Sequence, residues 1–258
     1  MSSDIYSSVA GYYDSINDGI DYGAWADFID KIIKKHAKVD TRLVLDLACG
    51  TGKMTFALRD RGFDMTGVDV SPEMLAEASD ICRREGIGDI LWLCQDMTDF
   101  ELYGTVDAAV CALDGINHLT KTDDVRRTLS LVHNYLVPDG LFIFDLNTPY
   151  KFENIYGAND YILEDDGVLV AWRNSYNKKT KLCRFDVTTF TETADETYER
   201  EDSSSTERCY PLRSIKKLLA EAGFELLFIS SGYNEDEPAP DAERWYIAAR
   251  CKKQNNNE

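Results

Sequence analysis

The sequence predicts an α/β protein built on a doubly wound sheet, with a small antiparallel β-sheet inserted late in the chain. Three observations predict it. Apolar runs alternate with helical periodicities from residue 43 to residue 148, the helical rhythm vanishes between residues 150 and 210, and it returns at residue 212 before two closing apolar runs. Strand–helix alternation implies a largely parallel sheet covered on both faces, with ligands at the carboxyl ends of its strands.

Taken in order, residues 4 to 23 are rich in tyrosine (Tyr6, Tyr12, Tyr13, Tyr22). From Ala24 to Ala37, Trp25, Phe28, Ile29, Ile32 and Ile33 recur at helical spacing, while Lys31, Lys34 and Lys35 take the other face. Runs at Leu43–Leu47, Met65–Val68, Ile90–Leu93, Val106–Ala112 and Leu141–Leu146 read as buried parallel strands. Helical patterns at Lys53–Arg61, Pro72–Glu85 and Asp123–Leu136 separate them; Ser71-Pro72 has the chemistry of an N-cap and first helical residue. Pro138-Asp139-Gly140 reads as a turn before the fifth strand. Within 150–210, the segments Val168–Tyr176, Leu182–Thr193 and Thr197–Cys209 are β-branched and aromatic, and Cys183, Phe185 and Val187 alternate with Arg184, Asp186 and Thr188. A helix over Leu212–Ala222, capped by Gly223, then leads into strands at Glu225–Ser231 and Trp245–Cys251 across the acidic loop Asn234–Glu243.

Composition narrows the function. At 44% hydrophobic and 29% charged, the chain has the make-up of a globular protein with a real core. No apolar run approaches the ~18 residues that span a bilayer. The N-terminus lacks the basic start and apolar core of a signal peptide, so a cytoplasmic location and no membrane partner are expected. The seven cysteines are dispersed without a Cys-x-x-Cys pair, and three distant histidines form no ligand cluster, so no metal is expected. A net charge of −18 opposes binding to nucleic acid.

The chemistry centres on Val44-Leu45-Asp46-Leu47-Ala48-Cys49-Gly50-Thr51-Gly52, a strand running into a glycine turn that opens a helix. Such a turn lets backbone approach a ligand closely. A dinucleotide site would place a third glycine at Thr55, and Asp46 beside the turn suits a cationic ligand better than a pyrophosphate. Asp46–Gly52 resembles motif I of the class I S-adenosylmethionine (SAM)-dependent methyltransferases. Asp69, ending the second strand, and Asp96-Met97, after the third, stand where that family has its companion motifs. The N-terminal Tyr12-Tyr13 and Tyr22 stretch is similar to the lid of amino-sugar and glycine-type N-methyltransferases in the small-molecule branch.

The resemblance implies a Rossmann-like seven-stranded sheet with SAM as cofactor and S-adenosylhomocysteine (SAH) as product. It implies contacts from Asp46, Ala48, Gly50 and Gly52 at the turn, Asp69 and Val70 at the ribose, and Met74, Asp96 and Met97 around the adenine. Leu113 would border the methyl group, and Tyr13, Tyr22 and Trp25 would cover the methionine end; Trp25 reads equally as a core anchor of its helix. Asn117 or His118 would reach the acceptor. His118 is the candidate catalytic base, or else a polar-network histidine. The organisation expected is a SAM-binding domain over 1–149 and 211–251 with residues 1–38 as a helical lid, an acceptor-binding insertion over 150–210, and a disordered tail over 252–258. The departures are Ala48-Cys49 in place of a glycine-rich turn and no Asn/Asp-Pro-Pro-Tyr after the fourth strand; the second speaks against DNA and protein-glutamine methylation. The expected reaction is methylation of a small molecule, on nitrogen ahead of oxygen, by a monomer or homodimer. A non-catalytic SAM-binding regulator and an NAD-dependent oxidoreductase are the alternatives.

Overall fold

The computed structural model describes residues 3–4, 20–165, 167–193 and 197–253. A seven-stranded sheet forms its centre. In chain order its strands are β2 (Leu43–Leu47), β3 (Asp64–Asp69), β4 (Leu91–Cys94), β5 (Val106–Cys111), β6 (Leu136–Asn147), β11 (Phe224–Ser230) and β12 (Arg244–Cys251). Across the sheet they run β11-β12-β6-β5-β2-β3-β4, and β12 is antiparallel to both neighbours. The order reverses at β2 and β5, and the expected ligand crevice lies there.

Helices α1 (Tyr22–His36), α2 (Lys53–Arg59), α3 (Pro72–Glu85), α4 (Thr122–Tyr135) and α5 (Leu212–Glu221) cover the two faces. The Asp21 carboxylate accepts from Ala24 N–H at 2.8 Å to start α1, whose Trp25, Phe28, Ile29, Ile32 and Ile33 pack with Val44, Val110 and Ile143 of the sheet. On the other face Val125, Leu129 and Val132 of α4 and Ile215, Leu218 and Leu219 of α5 pack with Leu45, Phe142 and Phe144. Ser71 caps α3 as expected, accepting from Met74 N–H, and Gly86 ends it in a left-handed conformation. Among the described residues no helix is long and apolar enough to cross a membrane.

Two expectations need adjusting. The Pro138-Asp139-Gly140 turn falls inside β6 as an irregularity: pairing with β5 jumps from Val106↔Leu136 to Ala108↔Leu141. Asp139 is left-handed there (φ 63°), and a Cβ on Gly140 would meet Asp107 carbonyl oxygen at 2.8 Å. The insertion also holds more strands than its three β-rich segments indicated. β8 (Val168–Asn177), β9 (Leu182–Glu192) and β10 (Tyr198–Arg208) are joined by the edge strand β7 (Tyr161–Asp165) and by the two-residue β1 (Ser3–Asp4), which pairs parallel to β10. Exposed Ile162 and Leu163 gave β7 no alternating pattern to recognise.

The insertion has its own core of Phe152, Cys183, Phe185 and Cys209. One side chain ties its two ends together. Asn117, fully buried, accepts from Asn147 N–H at 3.0 Å and donates to the Arg208 carbonyl at 2.9 Å, bridging the end of β6 to the end of β10. Asn117 is thereby a structural tie, not the acceptor-facing residue its position suggested. Asn117→Ala leaves both backbone groups buried without this partner, so urea denaturation should show a loss on the order of 2–4 kcal/mol; a loss below about 0.5 kcal/mol would show that the tie carries no stability.

Candidate active site

The glycine turn, the ends of β2, β3 and β5, and the start of α1 enclose a cleft of about 810 Å³, open mouth included. Of the residues named from sequence, Tyr22, Asp46, Ala48, Gly50, Asp69, Val70, Met74, Met97, Leu113 and His118 line it.

Asp69 organises the mouth. Its two carboxylate oxygens accept from Gly50 N–H and Ser71 N–H, both at 2.8 Å, which binds the glycine turn to the end of β3. Burial pushes its pKa up, against these hydrogen bonds. Ala48 and Gly50 both take left-handed backbone, φ 57° and 55°. A Cβ on Gly50 would meet nothing within 4 Å, so this glycine leaves its space to the cleft. Gly52 has a different reason: a Cβ there would come within 2.5 Å of the Trp92 ring. It is a packing glycine and N-cap of α2.

Asp46 lies deeper, almost fully buried. It accepts from the Thr55 hydroxyl at 2.5 Å, and its other oxygen has no hydrogen-bond partner. Thr55 therefore stands at the third-glycine position of a dinucleotide loop because its hydroxyl anchors this acid. Burial raises the Asp46 pKa to about 7, with the Thr55 bond opposing and the nearby Asp69 charge assisting.

Besides Asn117, three named residues fall outside the lining. Trp25 is buried against Tyr233 and Tyr246, so it is the core anchor of α1 and not a cofactor contact. Asp96 is exposed, its carboxylate accepting from Thr98 N–H at 2.7 Å, so Met97 alone of that pair reaches the cleft. Gly52 is turned to Trp92, as above. Tyr13 lies outside the described residues.

The structure adds a buried polar network that sequence reading missed. Leu113 and Asp114 follow β5 in consecutive left-handed conformations, φ 57° and 54°, which cost non-glycine residues about 1–3 kcal/mol each. Arg244, opening β12, holds them: it pairs with Asp114 at 2.9 Å and with Asp145, which also accepts from Asp114 N–H at 3.0 Å. Burial pushes Asp114 up, but the Arg244 charge, helped by His118 and Lys151, outweighs it and leaves that carboxyl below the usual range. Burial dominates at Asp145 and holds it at about 6. Asn147 donates to Glu207 at 3.1 Å and accepts from Lys151 at 3.1 Å. Burial and the Asp114 charge push Glu207 up to about 8. Burial, then the Arg244 charge, lowers Lys151, and burial raises Tyr156 strongly. His118 lines the cleft and lies 3.9 Å from Asp114, joining cleft to network. One signal was available in the sequence: Asp145 interrupts the apolar run Leu141–Leu146.

This donor set fits SAM. Acids at two strand ends, a turn that leaves room beside Gly50, and the apolar side chains of Val70, Met74 and Met97 match a cationic ligand carrying a hydroxylated ring and a flat base. Comparison with known proteins gives the same class. A methyltransferase-domain profile matches residues 44–140. The chain is 30% identical to a provisionally assigned methyltransferase of Geobacillus sp. (strain WCH70), over 95% of this chain and 99% of that one. It superposes with TM-score 0.86 and 30% identity on the crystal structure of an S-adenosylmethionine-dependent methyltransferase from Clostridium acetobutylicum ATCC 824, covering 97% of this chain and 100% of that one. It is 29% identical to a glycine/sarcosine N-methyltransferase of Parasynechococcus marenigrum (strain WH8102), over 86% of this chain and 77% of that one. The chain belongs to the SAM-dependent methyltransferases. It is an enzyme of the class I fold, and SAM is its cofactor.

The raised carboxyls give a pH test. Asp46, Asp145 and Glu207 hold protons more tightly in the fold than in the unfolded chain, so the folded state loses stability as pH rises from about 4 through their folded values of about 7, 6 and 8. Ligand-free protein should melt at a higher temperature at pH 5.5 than at pH 8. Asp46→Asn should flatten that slope, removing about 2 kcal/mol of the difference between pH 5.5 and pH 8; an unchanged slope would mean that Asp46 is ionised throughout.

Proposed function

We propose that the enzyme methylates a nitrogen of a small-molecule acceptor. The observation that carries this reading is the chemistry beyond His118. The wall there presents carboxyls and an imidazole, and the Tyr156 hydroxyl beside them is held neutral by burial. An oxygen acceptor needs a base such as His118 or a tyrosinate to ionise it, whereas an amine needs only to reach the methyl group uncharged, and carboxyls beside the imidazole attract its cationic form. A glycine/sarcosine N-methyltransferase among the relatives and the net charge of −18 support the same choice.

SAM when bound supplies a methyl group already activated on a sulfonium, so the protein's task is alignment and exclusion of water. In this reading the Asp69 carboxylate, fixed by Gly50 and Ser71 amides, keeps lone pairs for ribose hydroxyls, and Met74 and Met97 flank the adenine. Asp46 and Tyr22 face the methionine end, where an acid and an aromatic face both favour a cation. Leu113 and His118 border the transfer position, and the 150–210 insertion forms the acceptor's far wall.

Two measurements test the reading. Purified enzyme with methyl-labelled SAM should label small amines in preference to matched alcohols; labelling confined to protein or RNA would sink it. Asp69→Ala should weaken SAM binding roughly 10- to 150-fold by calorimetry, the loss of charge-assisted hydrogen bonds worth about 1.5–3 kcal/mol. Unchanged affinity would make Asp69 a brace of the turn alone.

A further inference from the structure

We infer that the acceptor enters as an ammonium bound among Asp114, His118 and Glu207, and that Glu207, on the inserted sheet, selects it; this deepens the nitrogen-methylation reading and rests on it. The three side chains come from three separate places: the turn after β5, the 3-10 helix Gly115–His118, and the last residues of β10. One ligating atom of each lies within 4.8 Å of the other two. His118 is also part of the cleft wall, so the cluster adjoins the place where a methyl group would be presented.

Charge balance indicates what fits. The buried network holds three carboxyls, Asp114, Asp145 and Glu207, against two cations, Arg244 and Lys151; Glu243, near Lys151, is exposed and solvated and lies outside this balance. Arg244 is committed to Asp114 and Asp145. The Asn147 amide stands between Lys151 and Glu207, accepting from one and donating to the other. Among the described residues Glu207 has that amide as its hydrogen-bond partner and no cation within ion-pair distance. Its pKa, pushed up to about 8, is that of a buried carboxyl short of a positive neighbour. One positive charge completes the balance.

The size and valence of that charge follow. A divalent metal would overshoot the balance beside two fixed cations, and it would have to compete with Arg244 for Asp114. A primary ammonium brings one charge and three N–H donors, matching one acceptor on each of the three side chains; before transfer one N–H bond breaks and its proton passes to Glu207 or His118, which leaves the nitrogen lone pair free to attack the methyl group. A hydroxyl in its place brings one donor and no charge, so it meets fewer of the three acceptors and leaves the charge unbalanced; sites built this way reject the poorer partner strongly.

The test uses protein saturated with SAH, titrated calorimetrically at pH 7 with glycine, ethanolamine and glucosamine and with their uncharged-end counterparts glycolate, ethylene glycol and glucose. At least one ammonium compound should bind ten times more tightly than its counterpart. Glu207→Gln should remove that preference while SAH affinity stays within twofold, which also shows that the variant is folded. Glu207→Asp, keeping the charge but drawing it back, should restore part of the preference. Equal binding within every pair would overturn both this inference and the nitrogen reading. An undiminished preference in Glu207→Gln would leave the nitrogen reading standing and remove Glu207 from it. Binding of none of the six compounds, or stoichiometric binding of manganese chloride that Glu207→Gln abolishes, would overturn the ammonium assignment. Should Glu207→Gln fail to bind SAH, Glu207→Asp decides, and an unaltered preference there would count against the assignment.

Discussion

The guanidinium of Arg244 is the constraint on which the rest of the site depends. It lies on the last strand of the chain and pairs with one acid within the neighbouring β6 and another that follows β5, two strands away in the sheet order. Breaking a buried pair by removing one partner is costly, because the other charge is left desolvated. The cation therefore fixes the relative position of Asp114 and Asp145, and through Asp114 it holds two consecutive left-handed residues that no glycine relieves. Leu113, the first of them, forms part of the cleft wall, so a residue more than a hundred positions away in sequence sets the shape of the ligand site.

Two electrostatic regions meet at His118. On one side the cleft carries Asp46 and Asp69, both raised by burial and both held by short hydrogen bonds from the glycine turn and its helix. On the other side the network around Glu207 carries more acid than base. Such a field favours positive charge on both reactants and strengthens inside a water-poor enclosure. The acidity of the whole chain thus has a local counterpart where chemistry is expected, beyond its effect on solubility.

The sequence made the strand ends readable because each is marked locally: an apolar run, then an acid or glycine, then a capped helix. Leu43–Leu47, Pro72–Glu85 and Asp69 followed directly from such marks. Trp25 and Asp96 show the limit of that reading. Both stand at the right place along the chain, yet Trp25 turns into the aromatic cluster of Tyr233 and Tyr246, and Asp96 is taken up by its own turn. Side-chain direction depends on neighbours distant in sequence. The same holds for Arg244, Lys151 and Glu207, which lie in unrelated segments and meet only once the ends of β6, β10 and β12, strands of two different sheets, come together. A charged residue at a strand start has no local mark of being buried. Asp145 did, as an acid inside an apolar strand, and it was the one thread leading into the network.

Asn117 has a consequence for how such a chain can change. Because two amides, Asn117 and Asn147, close the neck between β6 and β10, the residues beyond it form a pendant unit with a separate core. Extending a closed loop costs free energy only as the logarithm of its length. Segments beyond the neck can therefore lengthen, shorten or be exchanged while the ladder of the main sheet and the cofactor cleft keep their register. The fold separates what is held constant from what is free to diverge, and the boundary between them is two asparagines wide.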